Sequence, residues 1–168
     1  MNLKRTALFL FALLVGGLVI NGCSDNGSSD QAAVVDDVSD SSPQIQFLLD
    51  NSANSDVMVT SSGLQYQFLR SAEGITPNAS SIVTVDYEGS LIDGTVFDSS
   101  YSRGEPATFQ LSGTIDGFSE GIQLMSVGSQ IRLVIPANLA CGDQGVGDLI
   151  APGDTLIFEI ELLEINSG

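Results

Sequence analysis

Alternation of apolar and polar positions with period two recurs along the chain from residue 64 onward. Leu64, Tyr66 and Phe68 alternate with Gln65 and Gln67, and Val83, Val85 and Tyr87 alternate with Thr84, Asp86 and Glu88. Ile131, Leu133 and Ile135 repeat the pattern, as do Leu156, Phe158, Ile160 and Leu162. Each run predicts a strand with one apolar face. Ile82 begins the strand through Tyr87, and Gly89 breaks its alternation, as a bulge or bend would. Asp93-Gly94, set between Leu91-Ile92 and Val96-Phe97, is a strong turn signal. Thr108 to Leu111 is a further short strand that carries Phe109 inward.

The period changes once within this region. Phe118, Ile122 and Met125 fall at i, i+4 and i+7, one face of a brief helix that Asp116 would cap and Gly128 would stop. It is the only obvious helix of the domain. Ala137 to Asp154 then reads as a loop punctuated by Gly142, Gly145, Gly147 and Gly153. Short strands with one amphipathic helix imply an α+β domain, a twisted antiparallel sheet packed on that helix.

The first sixty residues follow a different pattern. Lys4-Arg5 precede a mostly apolar run from Thr6 to Ile20, and Ile20-Asn21-Gly22-Cys23 closes it, which reads as a secretory leader over residues 1–22. The run is short for a membrane span. A small residue before Cys23 and an aliphatic two places earlier resemble the lipobox of bacterial lipoproteins, implying lipidation at Cys23. A plain signal peptide and an uncleaved anchor are the other readings. Residues 23–42, rich in Ser, Asp, Asn and Gly, have too little apolar surface to order themselves and form a flexible acidic tether. Residues 43–59 are a lead-in in which Pro43 can open a short helix carrying Phe47 and Leu48. One folded domain would occupy residues 60–168.

Charge and residue counts exclude several functions. Five basic residues stand against 21 acidic ones, a net charge of −16, which repels nucleic acid and anionic lipid. Solubility in a saline surrounding and ordinary solvated faces both account for such acidity. There is no histidine, no metal-ligand spacing, and no Lys-Ser or Lys-Thr after the glycines of the loop, so hydrolase, metal and nucleotide chemistry are poorly served. No cofactor is expected. Cys23 and Cys141 alone do not make a disulfide framework.

Phe97-Asp98-Ser99-Ser100, taken by itself, is compatible with a turn whose Asp and Ser bond their own backbone. Within the longer string V-x-Y-x-G-x-L-x-D-G-x-x-F-D-S-S, followed shortly by Arg103, it resembles the signature of the FKBP-type peptidyl-prolyl isomerases, the family inhibited by tacrolimus and rapamycin. Residues 104–111, 115–136 and 155–165 follow in the family's order and spacing. The resemblance spans roughly residues 60 to 166 and implies a half-open sheet of about five strands wrapped around one short helix. The approach into the domain is similar to that of secreted bacterial members related to the macrophage infectivity potentiators. Those carry a long helical dimerisation region that has no room here, so a monomer is expected.

The resemblance also implies a proline site. Tyr87, Phe97, Asp98 and Phe158 would be its catalytic residues, and Arg103, Phe109, Thr114, Ile115, Phe118, Cys141, Leu149 and Ile150 would bind substrate. Phe97, Phe109, Phe118 and Phe158 would be aromatic walls and floor; each phenylalanine taken singly reads as core packing. Asp98, oriented by Tyr87 and Arg103, would lie nearest the substrate carbonyl, unless it is only a rim ion pair. Leu149 and Ile150 would close the pocket from above. Two positions depart from the family. Phe118 stands where tryptophan is usual, and Cys141 replaces a tyrosine whose hydroxyl donates to the ligand, which implies weaker macrolide binding.

The expected activity is isomerisation of X-Pro bonds in unfolded or nascent exported polypeptides. The expected place is outside the cytoplasm, lipid-anchored to a bacterial membrane, the periplasmic face of the outer membrane before the inner. A non-catalytic proline-pocket binder or chaperone, motivated by Cys141 and Phe118, is the alternative. A surface lipoprotein with an interaction role is a third.

Overall fold

The computed structural model describes residues 42–166. The leader, Cys23 and the tether lie outside the described residues. The elements are α1 (Pro43–Ser52), β1 (Met58–Val59), β2 (Gln65–Arg70), β3 (Ile82–Leu91), β4 (Val96–Ser99), α2 (Ser100–Arg103), β5 (Ala107–Gln110), α3 (Asp116–Gln123), β6 (Gln130–Ile135) and β7 (Leu156–Asn166). Short 3-10 turns lie at Leu111–Gly113 and Ala137–Leu139.

The seven strands among the described residues form one antiparallel sheet in the order β1-β2-β6-β7-β3-β4, with β5 also on β3. The domain is α+β, an antiparallel sheet packed on a short helix, as expected. The sheet is larger than about five strands because β1 adds a two-residue edge and because β4 and β5 are separate short pieces. The two share one edge of β3: β5 pairs with Ile82 to Val85 and β4 with Glu88 to Ser90. Asp86 and Tyr87 fall in the gap, and that gap positions the site.

The alternation along β3 and β7 is realised as one buried face. Val83, Val85, Tyr87, Leu156, Phe158, Ile160 and Leu162 are buried, while Glu88 and Glu159 are exposed. A register shift falls at Gly89/Ser90 in the β3–β4 pairing, where the bulge is predicted. Asp93-Gly94 turns the hairpin: Gly94 N–H donates to Leu91 O at 3.0 Å and Thr95 N–H to the Asp93 carboxylate at 2.8 Å.

α3 buries Phe118 and Ile122 against the sheet. Its close approach depends on two glycines one turn apart. A Cβ on Gly117 would lie 2.3 Å from Ile135 Cγ2, and one on Gly121 2.3 Å from Leu133 Cδ1, both on β6. The ends of this helix differ from expectation. Asp116 is its first residue rather than its cap, since Ile115 occupies the cap position without a side-chain bond. The helix ends at Gln123, because Leu124 and Met125 donate to Gly121 and Ile122 in tighter turns. Gly128 lies beyond, at φ 88° in the turn before β6, and does not stop it.

A helix does open at Pro43, with the Ser42 side chain accepting from Ile45 N. It buries no residue fully and is tied to the domain by amides instead. Asn51 Nδ2 donates to Gln65 Oε1 at 2.7 Å, and Gln65 Nε2 donates to Leu48 O at 2.9 Å.

Candidate functional site

Three elements meet at the gap in the β3 edge. Tyr87 comes from β3, Asp98 from β4 and Arg103 from the last position of α2. The Tyr87 hydroxyl donates to Asp98 Oδ2, and Arg103 Nη1 donates to Asp98 Oδ1. Arg103 Nη2 closes the triangle with a 3.1 Å bond to the Tyr87 hydroxyl. Asp98 is buried and its two oxygens are engaged separately, so the carboxylate is fixed in orientation. Burial, followed by the Asp98 hydrogen bond, pushes the Tyr87 phenol up to about 12, so it remains a donor at neutral pH. The hydrogen bond to Tyr87 is the leading cause that raises the Arg103 guanidinium above its usual range.

What holds α2 in register is a side chain taking the place of a strand partner. Ser100 Oγ accepts the Tyr87 N–H at 2.9 Å and donates to Asp86 Oδ1 at 2.8 Å, filling the ladder gap left between β4 and β5. Ser100 is fully buried. Ser99 caps α2 by accepting from Ser102 N, and Gly104 ends the turn at φ 76°. The segment is therefore more than a self-bonded turn. Ser99 does bond locally, but Asp98 and Ser100 reach back 11 and 13 residues to β3. Ser100 is the residue that the sequence reading missed as a long-range partner, and a hydroxyl between a serine and a tyrosine carries no local signal of such a role.

Beside the triangle lies a set of five rings in mostly edge-to-face contact. Phe118 is at its centre, 5.4 Å from Phe158, 5.5 Å from Phe109 and 6.4 Å from Tyr87, centroid to centroid. Phe97 meets Phe158 edge to face at 5.6 Å, and Phe109 meets Tyr87 edge to face at 5.6 Å. Phe118 and Phe158 are fully buried, whereas Phe97 and Phe109 are half-buried and present the accessible ring surface. The contact of Phe97 with Phe158 is possible because residue 89 is glycine. A Cβ there would lie 2.7 Å from Phe97 ring atoms and 2.8 Å from Phe158 Cε1.

The remaining predicted residues fall around these rings unequally. Ile115, Ile150 and Cys141 are buried members of the same apolar cluster. Thr114 is buried and its hydroxyl donates to Leu111 O at 2.9 Å, ending the turn before α3. Leu149 is 56 % exposed, beside the buried Ile150 that bridges to Val146. No cluster of His, Cys, Asp and Glu able to hold a metal is found among the described residues. An open cleft of about 640 Å³, lined by Ile75, Thr76, Val127, Ile165 and others, contains none of the predicted site residues and no ionisable side chain.

Residues 73–163, more than half of the chain, match the family model described as FKBP-type peptidyl-prolyl cis-trans isomerase. The chain belongs to the FKBP-type isomerase family. Within that family it is similar to the bacterial FkpA and Mip group. It is 50 % identical over 121 residues to a protein of Neisseria meningitidis serogroup B named probable FKBP-type peptidyl-prolyl cis-trans isomerase FkpA, covering 72 % of this chain and 44 % of the relative. It is 47 % identical over 122 residues to the outer membrane protein MIP of Legionella longbeachae, covering 73 % of this chain and 52 % of that one. The crystal structure of a peptidyl-prolyl cis-trans isomerase from Pseudomonas syringae superposes with a TM-score of 0.70 at 36 % identity, over 74 % of this chain and 91 % of that one. The chain spans about half the length of these two curated relatives.

Proposed function

We propose that the chain catalyses cis-trans isomerisation of X-Pro peptide bonds in exported polypeptides. The observation that carries this reading is the triangle of buried Tyr87 and Asp98 with the exposed Arg103, set beside the half-buried rings of Phe97 and Phe109. An amide bond resists rotation by roughly 18–20 kcal/mol because resonance keeps it planar. Twisting it returns the lone pair to the prolyl nitrogen and makes the carbonyl less polar. An apolar site that accepts the prolyl ring against Phe97 and Phe109 and excludes water favours the twisted amide over the planar one. Asp98 is the polar group next to that surface, held by two donors so that it does not reorganise during rotation. No proton transfer or covalent step is needed.

In this reading Cys23 carries a lipid, residues 23–42 act as a tether, and the domain works outside the cytoplasm at a bacterial membrane as a monomer. The leader pattern and the outer-membrane name of the Legionella relative support that placement. Macrolides of the tacrolimus type would bind weakly, since the Cys141 thiol is a poorer donor than the tyrosine hydroxyl it replaces.

The test is a protease-free assay that follows refolding of a proline-limited protein, with wild type and Cys141→Tyr side by side. Catalytic acceleration of the slow phase by wild type is the expected result. A folded wild type that leaves the slow phase unchanged overturns the reading; activity in Cys141→Tyr alone would then assign the natural chain a binding role.

A further inference from the structure

The loop between β6 and β7 supplies Cys141 and Ile150 to the apolar cluster beside the rings. Most of its hydrogen bonds are internal. Val146 and Ile150 exchange backbone bonds at 2.8 and 3.2 Å, and Gly153 N–H donates to Gly142 O at 3.0 Å. Its exit, Ala151 to Thr155, is held from outside by α1. Gln44 Nε2 donates to Asp154 Oδ1 at 3.0 Å, while Gln44 Oε1 accepts the Thr155 N–H at 2.9 Å. The other Asp154 oxygen accepts the Ala151 N–H at 2.8 Å. One glutamine thus reaches, through one carboxylate, the amide immediately after Ile150. Thr155 is buried with a hydroxyl that makes no hydrogen bond, and its backbone N–H, donating to Gln44 Oε1, is the polar anchor at the start of β7.

We propose that Gln44 is a positioning residue for the proline site, a latch on the lead-in helix that acts through Asp154 to hold Ile150 in its binding arrangement. The inference rests on the isomerase reading above. Its physical basis is preorganisation. A loop that holds its competent arrangement only a fraction of the time weakens apparent affinity by that fraction. The latch therefore acts on substrate binding more than on the rotation step, which the rings and Asp98 govern. It also makes α1, outside the matched family region, part of the working unit.

The experiment uses the full chain and exploits the polarity of the pair. Gln44→Glu sets a second carboxylate against Asp154, and Asp154→Asn sets a second amide nitrogen against Gln44, so each single variant opens the latch. Together they rebuild it with donor and acceptor exchanged. The introduced asparagine amide donates to the introduced glutamate carboxylate, while the asparagine oxygen still accepts from Ala151. Loss of one hydrogen bond's worth of holding energy corresponds to roughly fivefold faster amide exchange at Ala151 and Thr155. If the competent fraction falls to about a third, KM and the Kd of the same short proline peptide rise together about threefold, with kcat unchanged. The double variant is expected to return all three readouts to near wild type. Faster exchange with unchanged KM and Kd overturns the proposal, as does a double variant that stays as weak as the singles. Should wild type prove inert in catalysis, the isomerase reading fails on that result alone, and Kd with amide exchange still decides the latch.

Discussion

Arg103 sits over the face of Tyr87, its Cζ 5.5 Å from the ring centroid, while its Nη2 donates to the hydroxyl of the same residue at 3.1 Å. One guanidinium thereby engages the ring, its hydroxyl and the Asp98 carboxylate at once. A lysine has neither the planar fork nor the stacking surface for this. Arg103→Lys is therefore expected to behave as a loss, lowering kcat/KM by about tenfold, an effect of ~1.4 kcal/mol. The measurement is the refolding assay at saturating and limiting substrate.

Removing the carboxylate should cost more than removing either donor. Asp98→Ala leaves a buried phenol and a guanidinium without their common acceptor, a penalty of about 1–3 kcal/mol in stability. Urea denaturation reads that loss. In catalysis kcat/KM should fall at least tenfold while the variant still gives the native circular dichroism spectrum. Wild-type turnover in Asp98→Ala would remove Asp98 from the mechanism.

The phenol of Tyr87 gives stability a dependence on alkaline pH. Its value is near 10.0 when unfolded and about 12 when folded, so between those limits the folded state keeps a proton that the unfolded state has lost. Stability resting on the neutral phenol is complete below pH 10 and is lost as pH rises through 12, with a slope of up to ~1.4 kcal/mol per unit. Urea midpoints taken across this window should fall for wild type. Tyr87→Phe should flatten the slope, leaving what Tyr101, also raised chiefly by burial, contributes.

Gly89 tests the packing of the aromatic walls. A methyl at this position enters the space of Phe97 and Phe158 ring atoms, and both rings belong to the site. Gly89→Ala should destabilise by about 1–3 kcal/mol through overpacking. It should also raise KM, because Phe97 is the ring with room to swing outward. An unchanged KM would show that Phe97 does not face the substrate.

Gly117 lies on α3, where alanine would ordinarily be preferred by about 1 kcal/mol. Here the added Cβ meets the branched Ile135 side chain at 2.3 Å. Gly117→Ala is predicted to lower the thermal midpoint rather than raise it, with the helix lifting off β6 and carrying Phe118 with it. A raised midpoint would mean that β6 yields more easily than its burial indicates.

The strands of the sheet and the inward face of α3 are legible in the sequence because period and burial agree at each of Val83, Val85, Tyr87, Phe118 and Ile122. The ends of α3 are not. Asp116 and Gly128 are ordinary boundary residues, but the backbone bonds of Leu124 and Met125 end the helix earlier, and such tightening has no side-chain signature. The ring set comes from the family signature, not from spacing, since each phenylalanine alone reads as core. Ser100 and Gln44 stay hidden for a shared reason: their partners lie 13 and 110 residues away, and hydroxyls and amides show no periodicity. Leu149 and Ile150 carry one expected role in the sequence, and the fold distinguishes them: Ile150 is buried and Leu149 is exposed.

The gap in the β3 ladder also bears on which main-chain contacts a substrate of the proposed isomerase could make. An open strand edge beside the pocket would accept any extended chain by main-chain pairing, a sticky and unselective hold. Ser100 Oγ occupies the Tyr87 amide that such pairing would use, and β4 and β5 cover the edge on either side. A substrate chain of the proposed isomerase therefore finds the Tyr87 amide already taken.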